Sequence, residues 1–261
     1  MKIQEMMNLE GQNALVTGGP GYLGSFMCSA LIDLGANVIA VSRGESPTFI
    51  DDLENNQNLK VFINDLSTQN GIDQVLSEIK EYCGVVDILI NNSYTWPKIV
   101  NYFDQDWDDF KDTFNSGIIS QIYLTKFIFN EMVKKKKGII INISSMYGKV
   151  SPNFSIYKKS GMGNAIDYGI TKAGMIQFTK YLASLGGQHN VRCNSISPGP
   201  FPRPGALDGK EWFEEELNNS TMLKRVGKGE ELKGLIAFLA TDLSSYVTGT
   251  DIAVDGGWTA W

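Results

Sequence analysis

Seven short apolar runs rich in Val and Ile alternate along this chain with longer segments that carry the apolar spacing of amphipathic helices. The apolar runs are ALVTG at 14–18, NVIAVS at 37–42, KVFIND at 60–65, VDILINN at 86–92, GIIINIS at 138–144, VRCNSIS at 191–197 and TDIAVDG at 250–256. The segments with helical periodicity are 22–34, 72–82, 107–133, 166–185 and 230–239. Strands that alternate with helices of this length form βαβ units, in which helices cover both faces of a parallel sheet. The sequence therefore predicts an α/β fold with a doubly wound parallel sheet of seven strands.

Length and composition favour one domain of this kind. The chain has 261 residues, of which 43% are hydrophobic, so it can bury a large core. Neither a linker rich in Pro, Gly or charge nor an internal repeat divides it. We therefore predict a single domain over residues 1–261.

The charge balance and the cysteines exclude several classes of function. Lys and Arg total 23 against 29 Asp and Glu, and the net charge of -6 argues against a nucleic-acid surface. The three cysteines, Cys28, Cys83 and Cys193, are widely spaced, which favours neither a disulfide framework nor a metal site. No stretch reaches the roughly 18 apolar residues of a membrane span. We therefore expect a cytoplasmic protein that binds no nucleic acid, no membrane and no metal.

The stretch TGGPGYLG at 17–24 directly follows the first predicted strand and opens the first predicted helix. Within it, Gly19, Gly21 and Gly24 match G-x-G-x-x-G, in which glycines allow a tight turn and let the backbone approach a pyrophosphate at a helix N-terminus. A lone match is weak, but this one has the context that a dinucleotide site requires. We predict dinucleotide binding and a Rossmann-type fold, with a structural turn that binds no ligand as the alternative.

The position that contacts the nucleotide ribose, after the second strand, is occupied by Ser42 and Arg43. An Asp or Glu there favours NAD, because a carboxylate suits the ribose hydroxyls and repels a 2′-phosphate. A guanidinium pairs with that phosphate instead. The sequence thus favours NADP over NAD, with a solvent-facing arginine as the alternative.

Tyr168 and Lys172, in YGITK, are four residues apart and share one face of a predicted helix. A phenol has a pKa of about 10, so it transfers protons poorly at neutral pH unless a nearby ammonium lowers that pKa. Lys172 is placed to do so. An isolated Y-x-x-x-K often lies on a surface helix by chance, but Ser144 and Ser145 end the fifth strand at the ligand-binding edge of the sheet. A hydroxyl there can polarise a substrate carbonyl.

Asparagines add to this constellation. Asn91 and Asn92 end the fourth strand at the same edge of the sheet, and Asn115 lies in FNSGI, inside the helix that follows. Asn and Gly are poor helix formers, so a side chain or carbonyl turned away to bind a water would explain them. A harmless irregularity of the helix is the alternative.

Taken together, TGGPGYLG, Asp65–Leu66, VDILINNSY, GIIINISSMYG, YGITK, NSISPGP and TGTDIAVDGGW resemble the short-chain dehydrogenase/reductase family over nearly the whole chain. The resemblance implies hydride transfer between a nicotinamide and a carbonyl/alcohol pair. It implies a catalytic tetrad of Asn115, Ser145, Tyr168 and Lys172. In that mechanism Tyr168 transfers the proton, Ser145 binds the substrate oxygen, Lys172 binds the nicotinamide ribose, and Asn115 binds a relay water.

The resemblance also implies which residues bind the dinucleotide. Asp65 would bind the adenine end, while Pro198 and Gly199 would border the nicotinamide pocket. The implied cofactor residues are Thr17, Gly18, Gly19, Gly21, Tyr22, Leu23, Gly24, Ser42, Arg43, Asp65, Leu66, Asn92, Ser93, Tyr168, Lys172, Pro198 and Gly199.

The chain departs from the family pattern in its glycine turn. Compact members of the family usually have T-G-x-x-x-G-x-G, whereas this chain has Tyr22 at the position of the middle glycine. The spelling T-G-x-x-G-x-x-G resembles the extended branch that acts on nucleotide sugars, but the chain lacks the added substrate domain of that branch. The compact branch is therefore favoured. The family usually has NNAG where this chain has NNSY, so the resemblance places Tyr94 near the cofactor. There Tyr94 either narrows the cofactor pocket or only packs against neighbouring residues.

Two segments concern the substrate. An insertion at about 149–164 separates Ser145 from Tyr168, and it resembles compact reductases associated with bacterial flagellin-glycan and surface-polysaccharide biosynthesis. The loop at about 199–221 would cover the substrate, with Trp212 and Phe213 as an apolar wall. We therefore expect a small-molecule carbonyl substrate, a sugar or a sugar-derived ketone. A 3-oxoacyl-thioester or other lipid-like ketone is the alternative, and a non-catalytic dinucleotide sensor is disfavoured by the intact tetrad.

Two further expectations complete the sequence analysis. Tyr157, within the insertion, is a nearby rival of Tyr168, but it has Gly161 four residues on instead of a lysine. Relatives pair through the helices that correspond to 107–133 and 166–185 and through the edge near Trp258. The resemblance thus implies a homo-oligomer, a tetramer or a dimer.

Overall fold

The computed structural model describes residues 2–44, 53, 56–96, 101–157, 160 and 162–261. These residues form seven strands, which pair in parallel in the order β3-β2-β1-β4-β5-β6-β7. The strands are β1 Asn13–Thr17, β2 Asn37–Ser42, β3 Leu59–Ile63, β4 Ile88–Asn91, β5 Gly138–Ile143, β6 Val191–Pro198 and β7 Asp251–Val254. The predicted fold class, a doubly wound seven-stranded parallel sheet, is confirmed.

Helices connect the strands and cover both faces of the sheet. They are α1 Ile3–Met6, α2 Tyr22–Asp33, α3 Gln69–Tyr82, α4 Trp107–Phe114, α5 Ser120–Lys135, α6 Ile166–Gly186, α7 Glu211–Asn219 and α8 Lys233–Ala240. One apolar core lies on the α2 and α8 face, where Met27, Leu31 and Ile236 are buried. The other lies beneath α3 and α5, where Val75 and Leu124 are buried.

Helix boundaries differ from the sequence prediction where side chains cap or widen a turn. Helix α3 begins at Gln69 instead of 72, because the Thr68 hydroxyl accepts a hydrogen bond from the Gly71 amide and caps the helix. The single helix predicted over 107–133 is two helices, α4 and α5, joined by a π-helical turn at Asn115–Ile119.

The strand order reverses between β1 and its two neighbours, β2 and β4, and this reversal positions the site. In open α/β sheets, ligands bind outside the carboxyl ends of the strands at such a switch point. The glycine turn follows β1 directly, and the polar residues after β4 and β5 lie at the same edge.

A third apolar cluster packs outside the sheet and joins the insertion to the C-terminal part of the chain. Tyr157 of the insertion, Phe213 and Leu217 of α7, and Trp258 are buried together. The insertion and the predicted substrate loop therefore form one wall. No helix in the described part of the chain is long and apolar enough to cross a membrane.

Candidate active site

The glycine turn is shaped by contacts that only glycines allow. Gly18 has a φ of 64°, in the left-handed region, and its amide donates to the Val41 carbonyl at 2.8 Å. Gly21 is the N-cap residue of α2. A Cβ on Gly24 would lie 2.2 Å from the Gly18 carbonyl oxygen, so helix and turn are in direct backbone contact. The N-terminus of α2 thus opens against the turn, in the arrangement with which helices bind phosphates.

Side chains at the end of β4 fix this turn in place. The Thr17 hydroxyl accepts hydrogen bonds from the amides of Asn92 and Ser93, at 2.9 and 3.0 Å. The Asn92 side-chain amide donates to the carbonyls of Thr17 and Gly18, at 3.0 and 3.1 Å. Thr17 is fully buried, so its hydroxyl holds the turn against the end of β4 from inside the protein.

A cavity of about 450 Å³ lies beside the turn and contains most of the predicted cofactor residues. Those lining it are Gly18, Gly21, Tyr22, Leu23, Gly24, Ser42, Arg43, Asp65, Leu66, Asn92 and Ser93. Thr17 and Gly19 lie beneath the surface, and a Cβ on Gly19 would approach the Ala40 side chain to 2.7 Å. The Asp65 carboxylate is held by the amide and hydroxyl of Ser67. The cavity lining therefore includes a guanidinium, from Arg43, and a carboxylate, from Asp65, after the neighbouring strands β2 and β3.

A second cavity, of about 430 Å³, contains the predicted catalytic residues Ser145, Tyr168 and Lys172. Pro198 and Gly199 also line it. The two cavities share the residues Leu23, Asn92, Tyr94 and Trp96. The two cavities therefore adjoin each other between the glycine turn and Tyr168.

Lys172 is nearly fully buried at the floor of this second cavity. Its ammonium donates to the Ile143 carbonyl at 2.9 Å and lies 5.0 Å from the centre of the Tyr94 ring. It lies 5.9 Å from the centre of the Tyr168 ring. Burial lowers the pKa of Lys172 to about 8, because desolvation penalises the charged ammonium.

The pKa of Tyr168 is raised, not lowered. Burial is the main cause, and a hydrogen bond with the Ser145 hydroxyl opposes it. The expected lowering by Lys172 is therefore not seen in this structure, where desolvation by burial dominates. Trp96 adds to this enclosure by stacking on the Tyr168 ring, with 4.8 Å between ring centres. A phenol with a raised pKa stays protonated at neutral pH and can give a proton to a carbonyl oxygen.

The two serines after β5 have different functions. The Ser144 hydroxyl donates to the Lys172 carbonyl at 2.7 Å, so it fixes helix α6 against the sheet. The Ser145 hydroxyl accepts a hydrogen bond from the Tyr147 amide and bonds to the Tyr168 phenol. Ser145 is thus the serine that the structure brings together with Tyr168.

Asn115 lies in the π-helical turn, at the predicted irregularity of the helix. Its carbonyl accepts from the Ser120 amide, and its side-chain amide donates to the Ser67 carbonyl at 2.6 Å. Asn115 lines neither cavity. The structure therefore brings Ser145, Tyr168 and Lys172 together and leaves Asn115 on the side of Asp65. Gly117 is the residue of this turn that packs against Tyr94 and Thr171 of α6.

The substrate side of the site contains one residue that the sequence singled out and two that it did not. Tyr157 is buried, and its hydroxyl lies 3.3 Å from that of Tyr147. Both tyrosines line the second cavity, together with Asn164. The sequence named Tyr157 as a rival of Tyr168, but it carried no signal for Tyr147 or Asn164, because their approach depends on how the insertion folds.

Phe213 of α7 lines the same cavity and packs on Tyr157, with 5.5 Å between ring centres. Trp212 packs against the same apolar cluster. Among the residues that the structure describes, no cluster of His, Cys, Asp and Glu could bind a metal ion.

The fold and the site define a class: a nicotinamide-dependent oxidoreductase, in which a phenol, a serine and a lysine face the end of a dinucleotide groove. A family model described as enoyl-(acyl carrier protein) reductase matches residues 23–259. With the relatives described next, this match shows that the chain belongs to the short-chain dehydrogenase/reductase family. It is an NAD(P)-dependent oxidoreductase acting on a carbonyl/alcohol pair.

Relatives with different substrates match the chain over nearly its full length. The 3-oxoacyl-[acyl-carrier-protein] reductase FabG of Thermotoga maritima is 30% identical, over 96% of this chain and 99% of the relative. The 7alpha-hydroxysteroid dehydrogenase of Bacteroides fragilis is 28% identical, over 97% and 96%. A short-chain dehydrogenase of Leptospira borgpetersenii with bound NAD+ is 27% identical, with a TM-score of 0.84 over 99% of this chain and 96% of that one. The comparisons therefore agree on the reaction class and differ in substrate.

Proposed function

We propose that this protein reduces a ketone on a sugar or sugar-derived ring, with NADPH as its preferred reductant. The observation that carries the reaction is the Tyr168 phenol. It lies in one cavity with Ser145 and near the Lys172 ammonium, and this cavity adjoins the groove beside the glycine turn. The bound dinucleotide supplies the hydride.

The residues of this chain would activate and protonate the substrate. Ser145 donates a hydrogen bond to the carbonyl oxygen, which polarises the ketone. Tyr168 gives its proton to that oxygen, since burial keeps the phenol protonated before the reaction. Lys172 keeps a positive charge near the developing phenolate and is placed to bind the nicotinamide ribose.

Asn115 takes part in this proposal only indirectly. Its side chain and carbonyl are both engaged in the π-helical turn and with Ser67. Any contribution of Asn115 to proton relay therefore runs through water or through the shape of that turn, which packs on Tyr94 through Gly117.

The preference for NADPH rests on Arg43. Its side chain lines the cofactor cavity after β2, where a guanidinium can pair with a 2′-phosphate. Asp65, which follows β3, is the one carboxylate among the described residues that line this groove.

The choice of a sugar-like ketone rests on the wall opposite the catalytic residues. Tyr147, Tyr157 and Asn164 place two hydroxyls and an amide in the cavity, beside the apolar Phe213 and Leu217. A hydroxylated ring presents both polar and apolar edges to such a wall. The names of the FabG relatives favour a second candidate, a 3-oxoacyl-thioester.

The test is oxidation of NADPH and NADH with three sets of ketones: nucleotide-linked keto sugars, free keto sugars and 3-oxoacyl thioesters. We expect keto sugars to react fastest, and a clear preference for the thioesters would select the second candidate. Tyr168→Phe should abolish turnover and leave dinucleotide binding nearly intact, because the glycine turn and Asp65 are unchanged. Tyr157→Phe should keep most of the rate and serves as the matched control. Single-turnover rates that rank the two variants the other way would contradict the assignment.

We also propose a homo-oligomer, a tetramer or a dimer. Large apolar side chains are exposed on the helices expected to pair: Trp107, Ile122, Ile170, Tyr181 and Leu185. Isolated apolar residues are common on surfaces, but these five lie on α4, α5 and α6, the helices expected to pair, which supports an interface there. Sedimentation of a monomer at micromolar concentration would contradict this proposal.

A further inference from the structure

The Lys172 ammonium is a buried charge, and the proposed reaction needs it to stay charged. The residue is 3% exposed, and burial lowers its pKa to about 8, because desolvation penalises the charged form. A further fall by about one pH unit would leave about half of the molecules with a neutral Lys172 at pH 7. The groups that lie against this ammonium therefore decide whether it acts as a cation near neutral pH.

A carbonyl and an aromatic ring lie against the ammonium. It donates a hydrogen bond to the Ile143 carbonyl at 2.9 Å, and it lies over the Tyr94 ring, 5.0 Å from the ring centre. A cation within about 6 Å of a ring centre is attracted by the negative face of the ring, most strongly where water is excluded. The centre of the Tyr168 ring is 5.9 Å from the ammonium. Of these two rings, Tyr94 is the nearer.

Other contacts fix the Tyr94 ring in this position. The rings of Tyr168 and Trp96 pack on it in T-shaped contacts, with 5.0 and 5.6 Å between ring centres. Gly117 of the π-helical turn also lies against it, since an added Cβ there would come within 2.9 Å of the Tyr94 Cε2. These contacts hold the ring over the ammonium.

Tyr94 meets the ammonium as a neutral ring and not as a counterion. Burial raises the pKa of its phenol above the ordinary value, and the negative charge of Asp167 adds to this rise. The phenol therefore stays protonated throughout the pH range in which Lys172 titrates. The other described residues of the cavity lining whose pKa burial raises are Tyr147, Tyr157 and Tyr168. Among the described residues that line this cavity, Lys172 is thus the group that titrates near pH 8.

We propose that Tyr94 is a positioning residue, whose ring holds the Lys172 ammonium in its charged form beside Tyr168. The ring attracts the ammonium and has no comparable attraction for the neutral amine, so it opposes the effect of burial. This inference rests on the proposed function only for the part that Lys172 plays in the reaction. The sequence left two roles open for Tyr94, narrowing the cofactor pocket or packing, and the position of the ring over Lys172 adds this third one.

The consequence is a pH dependence that follows the electron density of the ring. Lys172 loses its charge as the pH rises through its folded-state pKa, so turnover should fall there. A weaker negative face on the ring should lower that pKa and move the fall in kcat/KM to lower pH, by about 0.5 to 1.5 pH units. The pKa of Tyr168 is raised above the ordinary value of a phenol, so loss of its proton lies at higher pH.

The experiment replaces Tyr94 by rings of similar size and graded electron density: phenylalanine, trifluorophenylalanine and pentafluorophenylalanine. Fluorine withdraws electrons from the face of the ring, while the bulk beside the ammonium is retained. The Lys172 titration is followed by NMR on protein with carbon-labelled lysine, and Lys172→Met identifies the resonance. We expect Tyr94→Phe to leave the Lys172 pKa within about 0.3 units of the wild type, and each fluorinated ring to lower it further. Pentafluorophenylalanine in place of Tyr157, whose ring packs on Phe213, is the matched control and should leave the titration unchanged.

Two readouts separate this role from simple packing and from the proposed function. A ring that only packs does not change the Lys172 pKa in step with its fluorination, so a constant pKa along the series would overturn the proposal. The fall in kcat/KM at high pH, measured with NADPH and a ketone substrate, should move together with the titration. A fall that stays in place while the titration moves would overturn the proposal as well. If no ketone is reduced, the proposed function fails, while the Lys172 titration still decides the role of Tyr94.

Discussion

Gly24→Ala should disable the dinucleotide site through a single methyl group. A Cβ at Gly24 would lie 2.2 Å from the Gly18 carbonyl oxygen and 2.7 Å from that of Gly19. Real Cβ atoms essentially never lie closer than 3.0 Å to another heavy atom. The Gly18 oxygen therefore has to move by about 1 Å, and the obstacle is backbone, which cannot swing aside as a flexible side chain does.

That carbonyl is the centre of the turn. It accepts hydrogen bonds from the Gly21 amide and from the Asn92 side chain, each at 3.1 Å. Displacement weakens both bonds, at about 1 kcal/mol each, and adds strain from overpacking of about 1–3 kcal/mol. We expect a loss of about 3–5 kcal/mol in the free energy of unfolding and a dinucleotide Kd raised by at least about 10- to 100-fold.

The assay pairs urea unfolding with fluorescence titration of NADPH. Gly234→Ala is the matched control: Gly234 is exposed in α8, and its added Cβ meets nothing within 4 Å. The same substitution there should stabilise the helix by up to about 1 kcal/mol and leave the Kd unchanged. A Gly24→Ala protein that binds NADPH with wild-type affinity would refute the argument from backbone contact.

Three further outcomes are expected. Arg43→Asp should shift preference from NADP toward NAD, because it exchanges a phosphate-pairing cation for an acceptor that suits ribose hydroxyls; unchanged NADP affinity by titration would count against it. Lys172 has a folded-state pKa of about 8, below its value in the unfolded chain. Between these two pKa values the unfolded chain binds more protons than the folded one, so the free energy of unfolding should rise with pH in that range. Urea unfolding from pH 7 to 10 should show this rise in wild type and not in Lys172→Met, and parallel curves would contradict it. Arg192→Met should lower the free energy of unfolding by about 3 kcal/mol, since the guanidinium donates to the Thr241 and Leu239 carbonyls and to the Ser244 hydroxyl. A loss below about 1 kcal/mol would show that water replaces these bonds.

Local sequence patterns determined the fold, the glycine turn and the pairing of Tyr168 with Lys172. The alternation of apolar strands and amphipathic helices requires a covered parallel sheet, and a parallel sheet brings the carboxyl ends of its strands to one edge. A glycine is needed at Gly18, where the turn adopts a positive φ, and at Gly24, where the helix backbone contacts the turn. Tyr168 and Lys172 share a face because helical spacing is fixed over four residues.

The tertiary structure decided which side chains meet across the chain. Asn115 follows the widened turn toward Ser67, away from the cavity of Tyr168, and the insertion carries Tyr157 and Asn164 into that cavity. The sign of the Tyr168 pKa shift was also decided at this level. Each outcome depends on contacts between distant segments and on the water that those contacts exclude. Desolvation is a property of the packed surroundings, so no local pattern of residues specifies it.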